Sequence, residues 1–176
     1  MLEGGSKAPD FNLPTDGGKQ IKLSKLKGKI VVVYFYPKDD TSGCTAEAKD
    51  FSCLIDDFTK AGAEVIGISP DGPASKVKFR KKYDLTVQLA ADEDKAVCSA
   101  YGVWVEKSMY GRKYMGVERS TFLVDRASKL TKVWRKVKVD GRVKLTVKDV
   151  WQWTGKDDQL IFSTSSLVTS SDETVT

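Results

Sequence analysis

The chain has 176 residues, 40% of them hydrophobic, enough for one domain with a sizeable core. Lys plus Arg is 29 and Asp plus Glu is 24, a mild +5. The charges are scattered rather than striped, which argues against a nucleic-acid role. Histidine is absent and there are three cysteines, Cys44, Cys53 and Cys98. A Ser-His-Asp triad, a Cys-His dyad, a histidine-ligated metal, a zinc pattern and a disulfide framework are therefore excluded. Residues Met1 to Lys7 lack an apolar signal core, and no run is long enough to span a membrane. No membrane role and a cytoplasmic, reducing location are the expectation.

Ala8-Pro9-Asp10-Phe11-Asn12-Leu13-Pro14 predicts an extended entry, and Asp16-Gly17-Gly18 a turn. Gln20 to Leu23 reads as a short strand. Ile30 to Tyr36 is a strand whose continuous apolar run fits burial on both faces. The spacing of Phe51, Leu54, Ile55 and Phe58 predicts one helix from Thr45 to Ala61, stopped near Gly62. Glu64 to Ser69 is a second buried strand. The turn Ser69-Pro70-Asp71-Gly72-Pro73 opens a helix that carries Val77, Phe79 and Tyr83.

Val87 to Ala90 is a short strand, and Asp92-Glu93-Asp94 caps a helix through Val97, Ala100 and Tyr101 that ends at Gly102. Val103 to Gly116 reads as a long connection rich in aromatics and glycine. Ser120 to Asp125 and Leu130 to Val137 are strands joined by a turn at Arg126-Ala127-Ser128. After Asp140-Gly141, Val143 to Trp153 predicts a closing helix with Val147, Val150 and Trp151 inward. Ser163 to Thr176 is mostly Ser and Thr, too poor in apolar residues to offset its ordering entropy. The expected division is one domain over 1–154 and a flexible tail over 155–176. The order of elements implies an α/β fold, a central mixed β-sheet with helices on both faces.

One stretch carries chemistry: Pro37-Lys38-Asp39-Asp40-Thr41-Ser42-Gly43-Cys44-Thr45-Ala46-Glu47. It puts a cysteine where a strand has ended and a helix begins. The first amides of a helix have no intrahelical partner, and with the dipole they favour negative charge in front of them. A thiol there loses its proton more easily, and the thiolate is the reactive form. Alone, Thr41 reads as a turn or cap hydroxyl, Pro37 as a strand terminator and Arg119 as a surface charge. Glu47, placed in the first helical turn, reads as a capping or dipole residue. Trp104, Tyr110 and Tyr114 read as packing, and Lys132, Arg135, Lys136 and Lys138 as an exposed strand face.

Pro-x-x-x-Thr-x-x-Cys, here Pro37, Thr41 and Cys44, resembles the active-site pattern of the peroxiredoxins. Glu118-Arg119-Ser120-Thr121-Phe122-Leu123-Val124-Asp125 is similar to that family's arginine-bearing segment. Tyr101 to Trp104, Tyr110-Gly111 and Gly116 to Arg119 resemble the PrxQ, or bacterioferritin comigratory protein, subfamily. The resemblance implies a thioredoxin-like fold and a peroxidase that reduces hydrogen peroxide or organic hydroperoxides without metal or bound cofactor. It implies Cys44 as the peroxidatic cysteine, Thr41 as the hydroxyl that orients thiolate and substrate, Pro37 as the shield of the pocket and Arg119 as the guanidinium beside the sulfur.

Many PrxQ-like enzymes carry a resolving cysteine five residues after the peroxidatic one; here that position is Lys49. Cys53 lies nine residues along the same predicted helix, roughly 13 Å away at about 1.5 Å per residue. A disulfide needs Cα atoms within about 7 Å. Cys98 reads as core packing. The expectation is a one-cysteine cycle in a monomer, with thioredoxin or glutathione and glutaredoxin as external reductant. The alternative class is a redox-sensing adaptor or holdase with Cys44 as sensor. A thiol–disulfide oxidoreductase is weakened because no Cys-x-x-Cys is present.

Overall fold

The computed structural model describes residues 2–139 and 147–150. Two short strands, β1 (Asn12–Pro14) and β2 (Gln20–Lys22), pair antiparallel, and a 3-10 turn, Leu23–Leu26, leads to β3 (Ile30–Phe35). Helices α1 (Ser42–Cys53) and α2 (Ile55–Lys60) follow, then β4 (Ala63–Ser69), α3 (Pro73–Tyr83), β5 (Gln88–Ala91) and α4 (Ala96–Ala100). The second half adds β6 (Trp104–Met109), β7 (Arg112–Val117), β8 (Ser120–Val124) and β9 (Leu130–Trp134).

The central sheet has the order β5-β4-β3-β8-β9. β5, β4 and β3 run parallel, and β8 and β9 are antiparallel additions, so the sheet is mixed as expected. The unbroken apolar run of β3 follows from its central place. Ile30, Val32 and Tyr34, with Tyr36 just beyond, enter one core with Phe51, Phe58 and Phe79. Val31, Val33 and Phe35 enter a second core with Phe11, Val97 and Tyr101 on the opposite face. Alternation along a strand sends each set to its own side.

Five expectations are corrected. The first helix begins at Ser42, not Thr45, and divides at Leu54. Just before the break, Ser52 is tied sideways: its hydroxyl accepts from the Thr86 and Val87 amides at 3.0 and 3.2 Å. Val77 on α3 faces solvent, while Lys76 takes the buried position with Phe79. Lys76, Phe79 and Tyr83 fall at i, i+3 and i+7, one face of a helix; Val77 and Phe79 are about 200° apart and cannot share it.

The stretch 103–116 is not a loop but a hairpin, with Met109 opposite Arg112. Tyr110 and Gly111 both have positive φ, 52° and 76°, the signature of a two-residue type I′ turn. Tyr110 and Tyr114 on it are exposed rather than packed. Arg135 is half-buried with its guanidinium 5.6 Å from the Phe122 ring, so it does not belong to an exposed basic face. Residues 147–150 are helical with Val147 and Val150 buried, as the predicted closing helix requires. Trp151 and the tail over 155–176 lie outside the described residues.

Candidate active site

Cys44 is the third residue of α1, in its first turn. The helix departs from the carboxyl end of β3, a strand end at the middle of the sheet. Arg119 comes to the same place by a different route. It sits between β7 and β8, and antiparallel pairing sets Ser120 opposite Phe35. Its carbonyl accepts from the Val137 amide at 2.9 Å, which fixes the junction. Two residues 75 apart in sequence thus meet at one strand end.

Arg119 Nη2 donates to Cys44 Sγ at 3.1 Å, and Nη1 donates to Glu47 Oε1 at 2.7 Å. The fork of the guanidinium spans the sulfur and the carboxylate together. Gly43 makes room for it: a Cβ there would lie 3.3 Å from Arg119 Nη2. Burial works against the Arg119 charge, but Glu47 and Cys44 outweigh it and hold its pKa above the ordinary arginine value. The sulfur-bearing residue is 1% exposed, whereas the Arg119 side chain keeps 16% exposure and links the site to solvent.

Glu47 is a site residue that sequence reasoning took for a helix cap. Because α1 starts at Ser42, Glu47 lies in its second turn, three residues after Cys44 and on the same face. It is 1% exposed. Desolvation pushes its pKa up to about 7, against the opposing pull of Arg119. The signal for it was present: Cys44, Glu47, Ala48 and Phe51 form one buried stripe at helical spacing.

Thr41 is the N-cap residue of α1, and its carbonyl accepts from the Thr45 amide at 2.8 Å. Its exposed hydroxyl donates to the Lys38 carbonyl at 2.9 Å rather than to Cys44. Pro37 is half-buried at the start of the turn. The turn itself is anchored by a residue the sequence did not flag. Asp39 accepts from Lys76 Nζ at 3.0 and 3.2 Å, from Tyr36 Oη at 2.6 Å and from Ser75 Oγ at 2.7 Å. Its amide donates to Asp71 at 2.8 Å. Lys76 is fully buried and also donates to Tyr36 Oη and Ser69 Oγ. Burial lowers the Lys76 pKa, with Asp39 opposing. Next in the chain, Asp40 has φ 60° and accepts from Lys82 at 2.8 Å and from Tyr83. Helix α3 therefore grips both aspartates of the turn that launches α1.

The other thiols are elsewhere. Cys53 is exposed at the far end of α1, and the helix between it and Cys44 is continuous. Cys98 belongs to the core on the other face of the sheet from Cys44. Its thiol is pushed well up, first by burial and then by Asp92. Lys49, where a resolving cysteine is absent, lies with Nζ 5.0 Å from the Tyr83 ring centroid.

A mixed sheet of this order, with a thiol at the first turn of the helix after its central strand, defines a thioredoxin-fold protein built around a cysteine. The chain belongs to the AhpC/TSA family, the peroxiredoxins: residues 5–133 match that family's model. It is 51% identical over 142 residues to a putative peroxiredoxin Bcp of Coxiella burnetii, an alignment that covers 81% of this chain and 94% of the relative. It is 47% identical over 142 residues to peroxiredoxin Bcp of Bacillus subtilis, covering 81% and 90%. Among solved structures it resembles the bacterioferritin comigratory protein of Xanthomonas campestris, studied for alkyl peroxide reduction. There the TM-score is 0.78 at 40% identity, with 82% and 92% of the two chains covered. A PrxQ mutant from Xylella fastidiosa gives 0.81 at 32% identity, with 85% and 96% covered.

Proposed function

We propose that this peroxiredoxin, a thiol-dependent peroxidase, works through Cys44. The Cys44 thiolate attacks one oxygen of a hydroperoxide. The O–O bond breaks, Cys44 becomes a sulfenic acid, and the departing oxygen takes a proton to leave as water or alcohol. Charge grows on that oxygen as the bond breaks, so donors already in place lower the barrier. Arg119 supplies them, and the contact of its guanidinium with the sulfur at 3.1 Å is the observation that carries the reading. Hydrogen peroxide and organic hydroperoxides, the alkyl peroxides of the Xanthomonas relative among them, are the substrates. Thr41 turns its hydroxyl from the Lys38 carbonyl to orient the substrate, and Pro37 walls the approach.

Regeneration is by an external thiol, thioredoxin or glutathione with glutaredoxin. The continuous helix between Cys44 and Cys53, the opposite-face burial of Cys98 and the lysine at position 49 support a one-cysteine cycle. The three free thiols agree with a reducing, cytoplasmic setting. The enzyme acts as a monomer without metal or bound cofactor. No helix among the described residues is long and apolar enough to cross a membrane.

Stopped-flow peroxide consumption on the three single Cys→Ser variants, with mass spectrometry of the oxidised wild type, tests this. Cys44→Ser abolishes consumption, Cys53→Ser and Cys98→Ser keep it, and oxidised Cys44 is found as sulfenic acid. Activity surviving in Cys44→Ser refutes the assignment. A quantitative bond from Cys44 to Cys53 or Cys98 refutes the one-cysteine cycle.

A further inference from the structure

Five large apolar side chains stand exposed among the described residues, and four belong to one short hairpin segment: Met109 at 56%, Tyr110 at 99%, Tyr114 at 43% and Met115 at 49%. Single exposed apolar groups are ordinary; a cluster marks an interaction site. Among the described residues, the β6–β7 ribbon that carries them forms a two-stranded sheet of its own.

Its two faces differ. Residues opposite one another in an antiparallel pair share a face. One face therefore holds Trp104, Glu106, Ser108, Lys113, Met115 and Val117. There Glu106 and Lys113 lie 3.8 Å apart, so the charges cancel. The other face holds Val105, Lys107, Met109, Arg112, Tyr114 and Gly116. It carries two cations and no acid, and neither cation has an ion-pair partner among the described residues. Lys107 and Tyr114 lie together over Gly116, where a Cβ would come within 3.3 Å of Lys107 Cδ and 3.4 Å of Tyr114 Cε2. The missing side chain lets Lys107 and Tyr114 lie close over the backbone, and Met109 and Arg112 continue the same face toward the turn. Tyr, Met and Arg are the residue types that protein interfaces favour. Three residues beyond Gly116 the chain reaches Arg119, which holds the sulfur.

We infer that the Lys107–Met109–Arg112–Tyr114 face of this ribbon docks an acidic protein dithiol, the reductant that regenerates Cys44. The inference rests on the peroxidase reading above and names the partner of that site. The partner's thiolate attacks the sulfenic sulfur, which forms a mixed disulfide and releases hydroxide, protonated to water. Its second thiolate breaks that S–S bond, freeing the Cys44 thiolate and leaving the partner as a disulfide. Cations without an ion-pair partner among the described residues, on the ribbon that leads into Arg119, draw acidic surface into encounter, an effect that salt screens.

The test compares wild type with the double variant Lys107→Glu, Arg112→Glu and with Tyr114→Ser. Thioredoxin is the protein reductant and dithiothreitol the small one. Both variants raise KM for thioredoxin at least tenfold, and the charge variant loses its salt dependence. Oxidation of Cys44 by hydrogen peroxide and turnover with dithiothreitol stay within twofold of wild type. An unchanged KM for thioredoxin overturns the inference, as does wild type that turns over with dithiothreitol but not thioredoxin. Sedimentation that shows wild type self-associating through this face, with the charge variant dissociated, also overturns it. If wild-type Cys44 does not react with peroxide, the peroxidase reading falls and takes this inference with it. Normal oxidation with an unaffected KM sinks the inference alone.

Discussion

Replacing Glu47 with Gln keeps the shape of the side chain and an acceptor for Arg119, but removes a carboxyl that burial makes costly to ionise. The folded-state pKa of about 7 stands above the ordinary 4.5. At about 1.4 kcal/mol per unit, ionising this group costs the folded state about 3 kcal/mol. A carboxyl that binds its proton more tightly when folded is harmless below its unfolded pKa. Stability then falls as pH rises from there through about 7 and levels off above it. Urea unfolding of both proteins from pH 5 to pH 8, with Cys44 kept reduced, isolates the effect because every other group is common to the pair. Stability of Glu47→Gln relative to wild type grows by about 2–3 kcal/mol across that range, most of it between pH 5 and 7. Parallel stability curves for the two proteins would refute the claim that Glu47 is a buried carboxyl in poor compensation.

Two further outcomes follow from the site. Arg119→Lys keeps a positive charge but loses the fork that spans Cys44 and Glu47. Trapping of the Cys44 sulfenic acid should slow by about 10²-fold at fixed peroxide, in line with the loss of one preorganised donor; a loss under threefold would count against the guanidinium's part in catalysis. Lys76→Met leaves Asp39 buried with its charge uncompensated, a cost of about 3–5 kcal/mol by urea denaturation. A change under 1 kcal/mol would mean that the turn before α1 is not held by this pair.

The parts legible in the sequence were those written in local pattern. β3 announced itself by an unbroken apolar run, and the helical stretch of α1 and α2 by the spacing of Phe51, Leu54 and Phe58. The neighbourhood of Cys44 and Arg119 came through family motifs, since nothing local in Glu118-Arg119-Ser120 says that a guanidinium will meet a sulfur 75 residues earlier in the chain. Glu47 was misread because its meaning depends on where the helix starts, and a shift of three residues moved it from the first turn to the inward face. Lys76 was illegible for another reason. It lies in a run of lysines and arginines that reads as a solvated face, and its burial depends on Asp39, 37 residues earlier. The β6–β7 ribbon was taken for a connection because the turn that makes it, Tyr110-Gly111, lacks the Asn or Asp usual at the first position.

The route by which Arg119 reaches Cys44 bears on biosynthesis. The guanidinium arrives only when β8 aligns beside β3, after β4 and β5 have been laid down on the other side. A chain emerging from the ribosome exposes its cysteine long before it has synthesised the segment that grips it. Throughout that interval the thiol lacks its clamp, so the growing chain carries a sulfur without its guanidinium until β8 has docked beside β3.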